Sequence, residues 1–414
     1  MATIDKPTTR RTVLAALGAA LLPGCRRAWT PPELDPTSRS QIKPYVAGAE
    51  AFGTYEEHWV TSSCAQCSAA CGIRVRVVEG RAVRIEGNRE SPLNRGGIGV
   101  RGLSGLQTLY DRDRITQPLR RIGDRLVPIS WRDALATLSR SLGELRARAP
   151  EQLLVMSGLE RGFSHELLAR FARVYGTPNF VDGSPSHTAT LARAMEVSLG
   201  VREVPAYDWT GAGAILSLEA GLFEDACRSV YFARVAAAMR RDRARRARFV
   251  HAGPAFDLAA YNADQWLRIR PGTAGALALG ICHVLLRDNT YAHELVDRVH
   301  GFAQLAAQYT PQRVEQITGC AGPVVAQLAH ELWERRPVLA VVDERSLAYS
   351  NGLDTANVAI ALSALLGSVE NPNGGLRVAP VAPTAAWPEP ELDDLARRGL
   401  STARLDGVEQ FPGA

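Results

Sequence analysis

A chain of 414 residues with 46% hydrophobic content has material for a large core and is too long for one ordinary domain, so two or three folded units are expected. The net charge of +5 is small for this length, and no basic face interleaved with aromatics occurs, which excludes nucleic acid as a partner. The densest basic run, Arg240 to Arg248, reads as the solvated end of a helix entering the next strand.

The first signal in chain order is Thr9-Arg10-Arg11-Thr12, set before the apolar run Val13 to Leu22, which only Gly18 interrupts. Twin arginines ahead of a modest apolar stretch form a twin-arginine export address. The stretch is too short for a permanent membrane helix. It ends in Leu22-Pro23-Gly24-Cys25, which resembles a lipoprotein cleavage box and makes Cys25 a candidate for lipidation; ordinary signal cleavage is the alternative. Residues 1–25 are therefore expected to direct export, leaving the protein periplasmic or held at a membrane surface, lipid-anchored if Cys25 is acylated. That export route carries folded proteins and points to a cofactor inserted beforehand. Residues 26–56, rich in Pro, Ser and Gly, read as a linker.

A compact β unit follows. Ile73, Val75 and Val77 alternate with polar residues, Glu79-Gly80 makes a turn, and Val83 and Ile85 resume the alternation, which predicts a hairpin. From about residue 128 helical and strand patterns alternate. Ser130 can cap a helix with Trp131, Leu135, Leu138, Leu142 and Leu145 on one face. Apolar runs at Leu153 to Met156, Ala214 to Leu218, Phe249 to Ala252 and Val338 to Val342 are separated by helical periodicity at His165 to Tyr175 and Asp225 to Met239. This alternation predicts parallel sheets covered by helices. Nicotinamide and P-loop fingerprints are absent, and the stretch after Gly375 reads as a Pro-rich tail without a further folded unit.

Chemistry concentrates in Cys64-Ala65-Gln66-Cys67-Ser68-Ala69-Ala70-Cys71. Thiols three and four positions apart in a loop can converge on an iron–sulfur cluster. A zinc site with His58 as the local fourth donor, or a disulfide in an exported protein, are the alternatives. Cys227, Cys282 and Cys320 read as ordinary core or loop residues, and His165, His251, His283, His293, His300 and His330 carry no assigned role. Thr273 can cap a helix from Ala274 to Leu286, with Pro271-Gly272 turning the chain before it, and such a helix head suits a nucleotide phosphate.

In order along the chain, Ser63-Cys64 to Gly72, Glu86-Gly87-Asn88, Asn94-Arg95-Gly96, Arg101-Gly102 and Leu109 to Ile115 resemble the iron–sulfur domain of the molybdopterin oxidoreductase family. Trp131 with Asp133-Ala134-Leu135, Ala263 to Leu267 with Ile269 to Thr273, and Leu362 to Gly367 with Asn371 to Gly375 resemble later landmarks of that family. In character the chain is similar to polysulfide- and thiosulfate-reductase-like members and to the iron–sulfur subunit of alternative complex III. The resemblance implies an α/β protein: a β-rich iron–sulfur domain over 57–118, then doubly wound, Rossmann-like parallel-sheet domains over 119–378, a tail over 379–414, and no C-terminal β-barrel domain. It implies Cys64, Cys67 and Cys71 as cluster ligands, Arg101 between cluster and pterin, and Gly272 and Thr273 at the pterin nucleotide.

The same resemblance marks departures. Gly99 stands where the family has its fourth cluster cysteine, which leaves a 3Fe–4S cluster, a 4Fe–4S cluster with a non-cysteine ligand, or an abandoned site. His187 falls at the molybdenum-ligand place, with Asp182, Ser184 and Ser186 as neighbouring oxygen donors. Ala274 replaces an Asp that would accept from a guanine. Two readings follow. In one, the chain belongs to a molybdenum or tungsten bis-pterin oxidoreductase whose barrel comes from a separate chain. In the other, it is a non-catalytic scaffold or electron-transfer subunit lacking the pterin metal. Both imply a ferredoxin-like iron–sulfur subunit and a quinone-interacting membrane subunit as partners.

Overall fold

The hairpin expected behind the cysteine cluster forms β2 (Gly72–Val78) and β3 (Arg81–Gly87), antiparallel with Val75 opposite Ile85. Glu79 and Gly80 connect them with φ of 50° and 73°, the two left-handed residues of a type I′ turn, whose twist matches that of the strands. With β1 (Glu57–Ser63) they form a sheet in the order β1-β2-β3. Two short helices follow, α1 (Val100–Leu103) and α2 (Gly105–Leu109). The computed structural model describes residues 56–67, 69–158, 163–183, 186–209, 211–224, 229–241, 246–293, 301–378 and 388–405. The twin-arginine segment, Cys25 and the linker up to residue 55 lie outside the described residues.

Beyond a small hairpin of β4 (Leu119–Ile122) and β5 (Arg125–Pro128) runs α3 (Trp131–Arg148). Ser130 caps it as expected, accepting from the Asp133 N–H at 3.1 Å. Its apolar face is largely uncovered: Trp131, Leu135 and Leu138 are all exposed. A pair of parallel strands, β6 (Val155–Ser157) and β7 (Phe180–Asp182), brackets α4 (Phe163–Tyr175). The helix α5 (Ser186–Leu199) and the strand β8 (Ala206–Asp208) lead into the main sheet.

That sheet holds β9 (Ala214–Leu218), β10 (Arg248–Gly253), β11 (Gln265–Arg268) and β12 (Val338–Val341), all parallel in the order β11-β10-β9-β12. Every residue of β9 and β12 is buried. A parallel strand covered on both faces needs a continuous apolar run rather than an alternating one, and that is the pattern found here. Between β9 and β10 runs α6 (Ser229–Arg241), and α7 (Leu258–Asn262) precedes β11. Then α8 (Ala274–Arg287), α9 (Phe302–Ala307), α10 (Pro311–Thr318) and α11 (Gly322–Glu334) lead to β12. The remaining elements are α12 (Glu344–Leu347), α13 (Gly352–Leu365) and β13 (Gly375–Arg377). Helices α8 and α13 are apolar nearly all round and pack on one another inside the protein.

The chain lays down β9, β10 and β11 outward in one direction and then returns to place β12 on the other side of β9. Such a reversal opens a crevice beyond the carboxyl ends of the two strands that flank it, β9 and β12. Glu219 follows β9 directly and Asp343 comes two residues after β12, so both stand at this crevice.

The stretch read as a tail contains α14 (Asp394–Leu400). Ala396 is fully buried, and a Cβ on Gly176 would stand 2.7 Å from the Ala396 Cα. Arg146 of α3 grips Asp393 with two hydrogen bonds of 2.9 and 2.8 Å. Prolines mark where the chain cannot continue a helix, and they hid one that begins after them at the Asp393 cap.

Candidate functional site

The cysteine loop is closed by its own backbone: the Cys64 N–H donates to the Cys71 carbonyl at 2.8 Å. Ala70 turns through φ 45° just before Cys71. Cys64 and Cys71 are buried, Cys67 is half-buried, and none of the three is in a disulfide. With Ile73, Cys64 and Cys71 form a small apolar core closed by Ala69, Val75, Ile85, Ile98 and Val230, the last contributed by α6 of the α/β region.

Asn94 sets the loop's position. It is 2% exposed, and its side chain accepts from the Gly72 N–H at 2.9 Å while donating to the carbonyls of Gly72 at 2.9 Å and Gly97 at 2.5 Å. The segment carrying Gly99 is thereby tied to the strand following Cys71. A Cβ on Gly87 would fall 2.3 Å from the Gly96 oxygen, so only glycine lets the two backbones cross there. A Cβ on Gly102 would stand 3.3 Å from the Cys64 sulfur, which places the start of α1 directly against that thiol.

Gly99 donates its backbone N–H toward the Cys71 thiol. Burial pushes that thiol up from its ordinary value, the Gly99 N–H pulls it down, and the nearby Cys67 and Cys64 add to the rise. The three sulfurs therefore share one electrostatic neighbourhood, and Gly99 is at its edge. Among the described residues no three His, Cys, Asp or Glu side chains converge closely enough for a single metal ion. His58 lies on β1 and is exposed. Among the described residues the zinc alternative thus finds no fourth donor, whereas a cluster needs thiolates spread around several irons.

The second constellation lies at the crevice. Glu219 is 2% exposed and has φ 54°. Its carboxylate accepts the N–H groups of Gly272 at 3.2 Å, Thr273 at 3.1 Å and Ala274 at 3.2 Å, the free donors at the head of α8. Thr273 occupies the cap position of α8 but does not cap it with its side chain; its hydroxyl donates instead to the Arg270 carbonyl at 2.6 Å. This corrects the expectation of a Thr273 cap. The hydroxyl has a nearer acceptor in its own turn, and a carboxylate from β9 already fills the space it would have used.

Behind these lies a polar network that sequence reading left without a role. Ser217 and His251, both buried on neighbouring strands β9 and β10, meet at 2.9 Å between Oγ and Nδ1. His251 Nε2 stands 3.6 Å from Asp257, and Arg345 bridges Asp257 and Glu224 at 2.6 Å each. Burial holds His251 below its ordinary value; Asp257 pulls the other way, Arg345 lowers it further and Glu224 raises it. Arg345 and the Leu258 N–H hold the Glu224 carboxyl below the usual range. The network fixes α7 and α12 beside the crevice. Its histidine was invisible because Ser217 and Arg345 lie far from it in sequence.

Matches to family models cover nearly the whole described chain: a molybdopterin oxidoreductase Fe4S4 domain over residues 57–111 and molybdopterin oxidoreductase over residues 114–404. The chain belongs to the molybdopterin oxidoreductase family. Among curated relatives, the molybdopterin-binding-like subunit of menaquinone reductase from Nitratidesulfovibrio vulgaris is 35% identical over 320 residues, covering 76% of this chain and 45% of that protein. The molybdopterin-containing subunit PhsA of thiosulfate reductase from Salmonella typhimurium is 27% identical, covering 76% of this chain and 41% of that protein. The chain thus spans less than half the length of these relatives. Acetylene hydratase from Pelobacter acetylenicus shares the fold with a TM-score of 0.65 at 22% identity, over 77% of this chain and 44% of that one.

Measured against the molybdopterin oxidoreductase family's cofactors, the two constellations differ. At the loop, Cys64, Cys67 and Cys71 fit three corners of a cluster and Gly99 has no donor atom for a fourth. At the head of α8, the Gly272 and Thr273 N–H groups that were expected to face a nucleotide are already bonded to Glu219, and that site does not fit an anionic ligand. Arg101 lies on α1 two residues beyond Gly99 and is exposed. His187 falls in the first turn of α5, and its side chain, like those of Asp182, Ser184 and Ser186, lies outside the described residues. Cys282 and Cys320 are buried, as expected of core residues; Cys227 lies outside the described residues.

Proposed function

We propose that this chain is the iron–sulfur relay subunit of an exported, membrane-associated respiratory complex linked to quinone. The observation that carries the reading is the gathering of three thiols, Cys64 and Cys71 in a buried apolar core and the half-buried Cys67 beside them, with Gly99 and Gly102 against the two buried ones. A cluster held there would pass electrons one at a time. The chain's own part is to exclude water from Cys64 and Cys71 and to direct the Gly99 N–H at a ligand sulfur. Burial and hydrogen bonds to sulfur are the protein's means of setting a cluster's potential. Arg101, on the adjoining helix, adds positive charge nearby.

Relatives that are named as subunits of a menaquinone reductase and a thiosulfate reductase support placement in a larger assembly. The partners proposed are a ferredoxin-like iron–sulfur subunit and a quinone-interacting membrane subunit. No helix among the described residues is long and apolar enough to cross a membrane; attachment is assigned to the twin-arginine leader, Cys25 and those partners.

The test is elemental analysis for iron, molybdenum and tungsten, with low-temperature EPR, on full-length protein matured through its own export route. Iron with a cluster signal and neither heavier metal is the expected result. Stoichiometric molybdenum or tungsten would replace this reading with that of a catalytic pterin subunit. Absence of iron in freshly matured, anaerobically purified protein would overturn the relay itself.

A further inference from the structure

A helix head at the crevice of a doubly wound sheet is where a nucleotide phosphate is normally received, because free N–H groups and the helix dipole both favour negative charge. In this chain those groups are not free. Glu219 leaves the carboxyl end of β9 and reaches the first turn of α8, where both carboxylate oxygens are used: Oε2 by Gly272, and Oε1 by Thr273 and Ala274. The Tyr349 hydroxyl adds a fourth bond to the same carboxylate, and burial together with that negative charge raises the tyrosine above its ordinary value.

The surroundings hold this arrangement in place. Gly272, at φ 72°, lies under the Tyr349 ring, which would be 3.2 Å from a Cβ there. Asn351 donates to the Gly272 carbonyl at 2.9 Å. Arg270, just before the turn, is held by the carbonyls of Gln316 at 2.5 Å and Ile317 at 2.9 Å at the end of α10. Glu219 itself sits in the left-handed region at φ 54°, a conformation that a non-glycine residue keeps only where its surroundings over-determine it.

We propose that Glu219 is a built-in anion at the phosphate position of α8, so that this chain takes up no pterin nucleotide there. A phosphate on the same three N–H groups would stand at hydrogen-bonding distance from a carboxylate, and two negative groups cannot share that position without cost. Ala274 adds to the exclusion, since it has no side-chain acceptor for a guanine. The inference rests on the head of α8 alone and holds whether or not the cysteines carry a cluster.

The test uses the full-length protein and two probes, inorganic phosphate and GDP, against chloride at matched ionic strength. Wild-type protein is expected to show a thermal midpoint independent of either probe and no heat of GDP binding by calorimetry. Glu219→Ala, with the donors exposed, is expected to melt lower and to recover saturably with phosphate, GDP competing for the same site. Glu219→Gln keeps the shape and one acceptor while removing the charge; it is expected to gain at least about tenfold in phosphate affinity over the wild type, and it decides the matter if the alanine variant does not fold. Saturable binding of GDP to the wild type, displaced by phosphate, would overturn the proposal. So would folded variants that gain no anion dependence.

Discussion

A thiol at position 99 would complete the ligand set that Cys64, Cys67 and Cys71 begin. Gly99 has φ −74° and ψ 158°, an extended conformation open to any residue, and a Cβ there would meet only the Val230 Cγ2 at 3.6 Å, an ordinary contact. Val230 packs against the cysteine core, so the new side chain enters the right neighbourhood. Replacing glycine at a compatible conformation stabilises a fold by about 0.4–1 kcal/mol through the unfolded state. Gly99→Cys should therefore leave the metal-free protein within about 1 kcal/mol of wild type, roughly a 1 °C shift in Tm for a chain of this length. Its effect should appear in the cluster. With three thiolates, one corner lacks a cysteine, and oxidation should strip iron from it, leaving about three irons per chain; with four, about four should remain. The assay is iron and sulfide determination with EPR before and after ferricyanide treatment. A folded variant with the added thiol titratable in the metal-free state, yet with the iron count and EPR signal of wild type, would refute the placement of Gly99 at the fourth corner.

Asn94→Ala should detach the cluster loop, because the buried Gly72 N–H loses its partner, at a cost of about 1–3 kcal/mol. Urea denaturation measures that cost, and the variant's iron content should fall with it; unchanged values in both would remove Asn94 from the loop's support. The buried His251 gives a pH dependence of definite sign. Its folded value lies below its ordinary 6.5, so the unfolded chain takes up the proton first. Stability is full above about pH 6.5 and declines as pH falls below it, by at most about 1.4 kcal/mol per pH unit for one proton. His251→Gln should flatten this limb, while the Glu224 contribution, lost only below its ordinary 4.5, should persist. Chemical denaturation from pH 7.5 to 5 separates the two; equal slopes in wild type and variant would count against His251 as the titrating group.

Much of the scaffold was readable in the sequence because its signals are local. The continuous apolar run of β9 and the alternation through β2 and β3 give strands within two residues of those found, and Ser130 and Asp133 announce the start of α3. The landmarks on either side of position 99 mark it as the expected place of a fourth ligand, which the Gly99→Cys variant tests. What escaped depends on residues brought together from far apart. Glu219 and Ala274 are 55 positions apart, and nothing in Leu218-Glu219-Ala220 signals that its carboxylate will cap a helix two strands later. His251 was set aside for want of a neighbour in sequence, although Ser217, Asp257 and Arg345 surround it in the fold. The helix α14 was masked by the prolines before it, and its burial comes from Pro150, Gly176 and α4 rather than from any periodicity of its own.

The carboxylate at the head of α8 also bears on the order in which this protein is made. A helix head that must await a delivered ligand leaves its N–H groups unsatisfied, and the surrounding crevice unfinished, until an insertion step supplies one. Here the missing acceptor is part of the polypeptide. Once β9 and α8 come together, Glu219 satisfies Gly272, Thr273 and Ala274 in the same event. The head of α8 then has its acceptors as soon as the sheet and the helix have folded together. Among the described residues, the cysteine loop is the place where a delivered group would still be awaited.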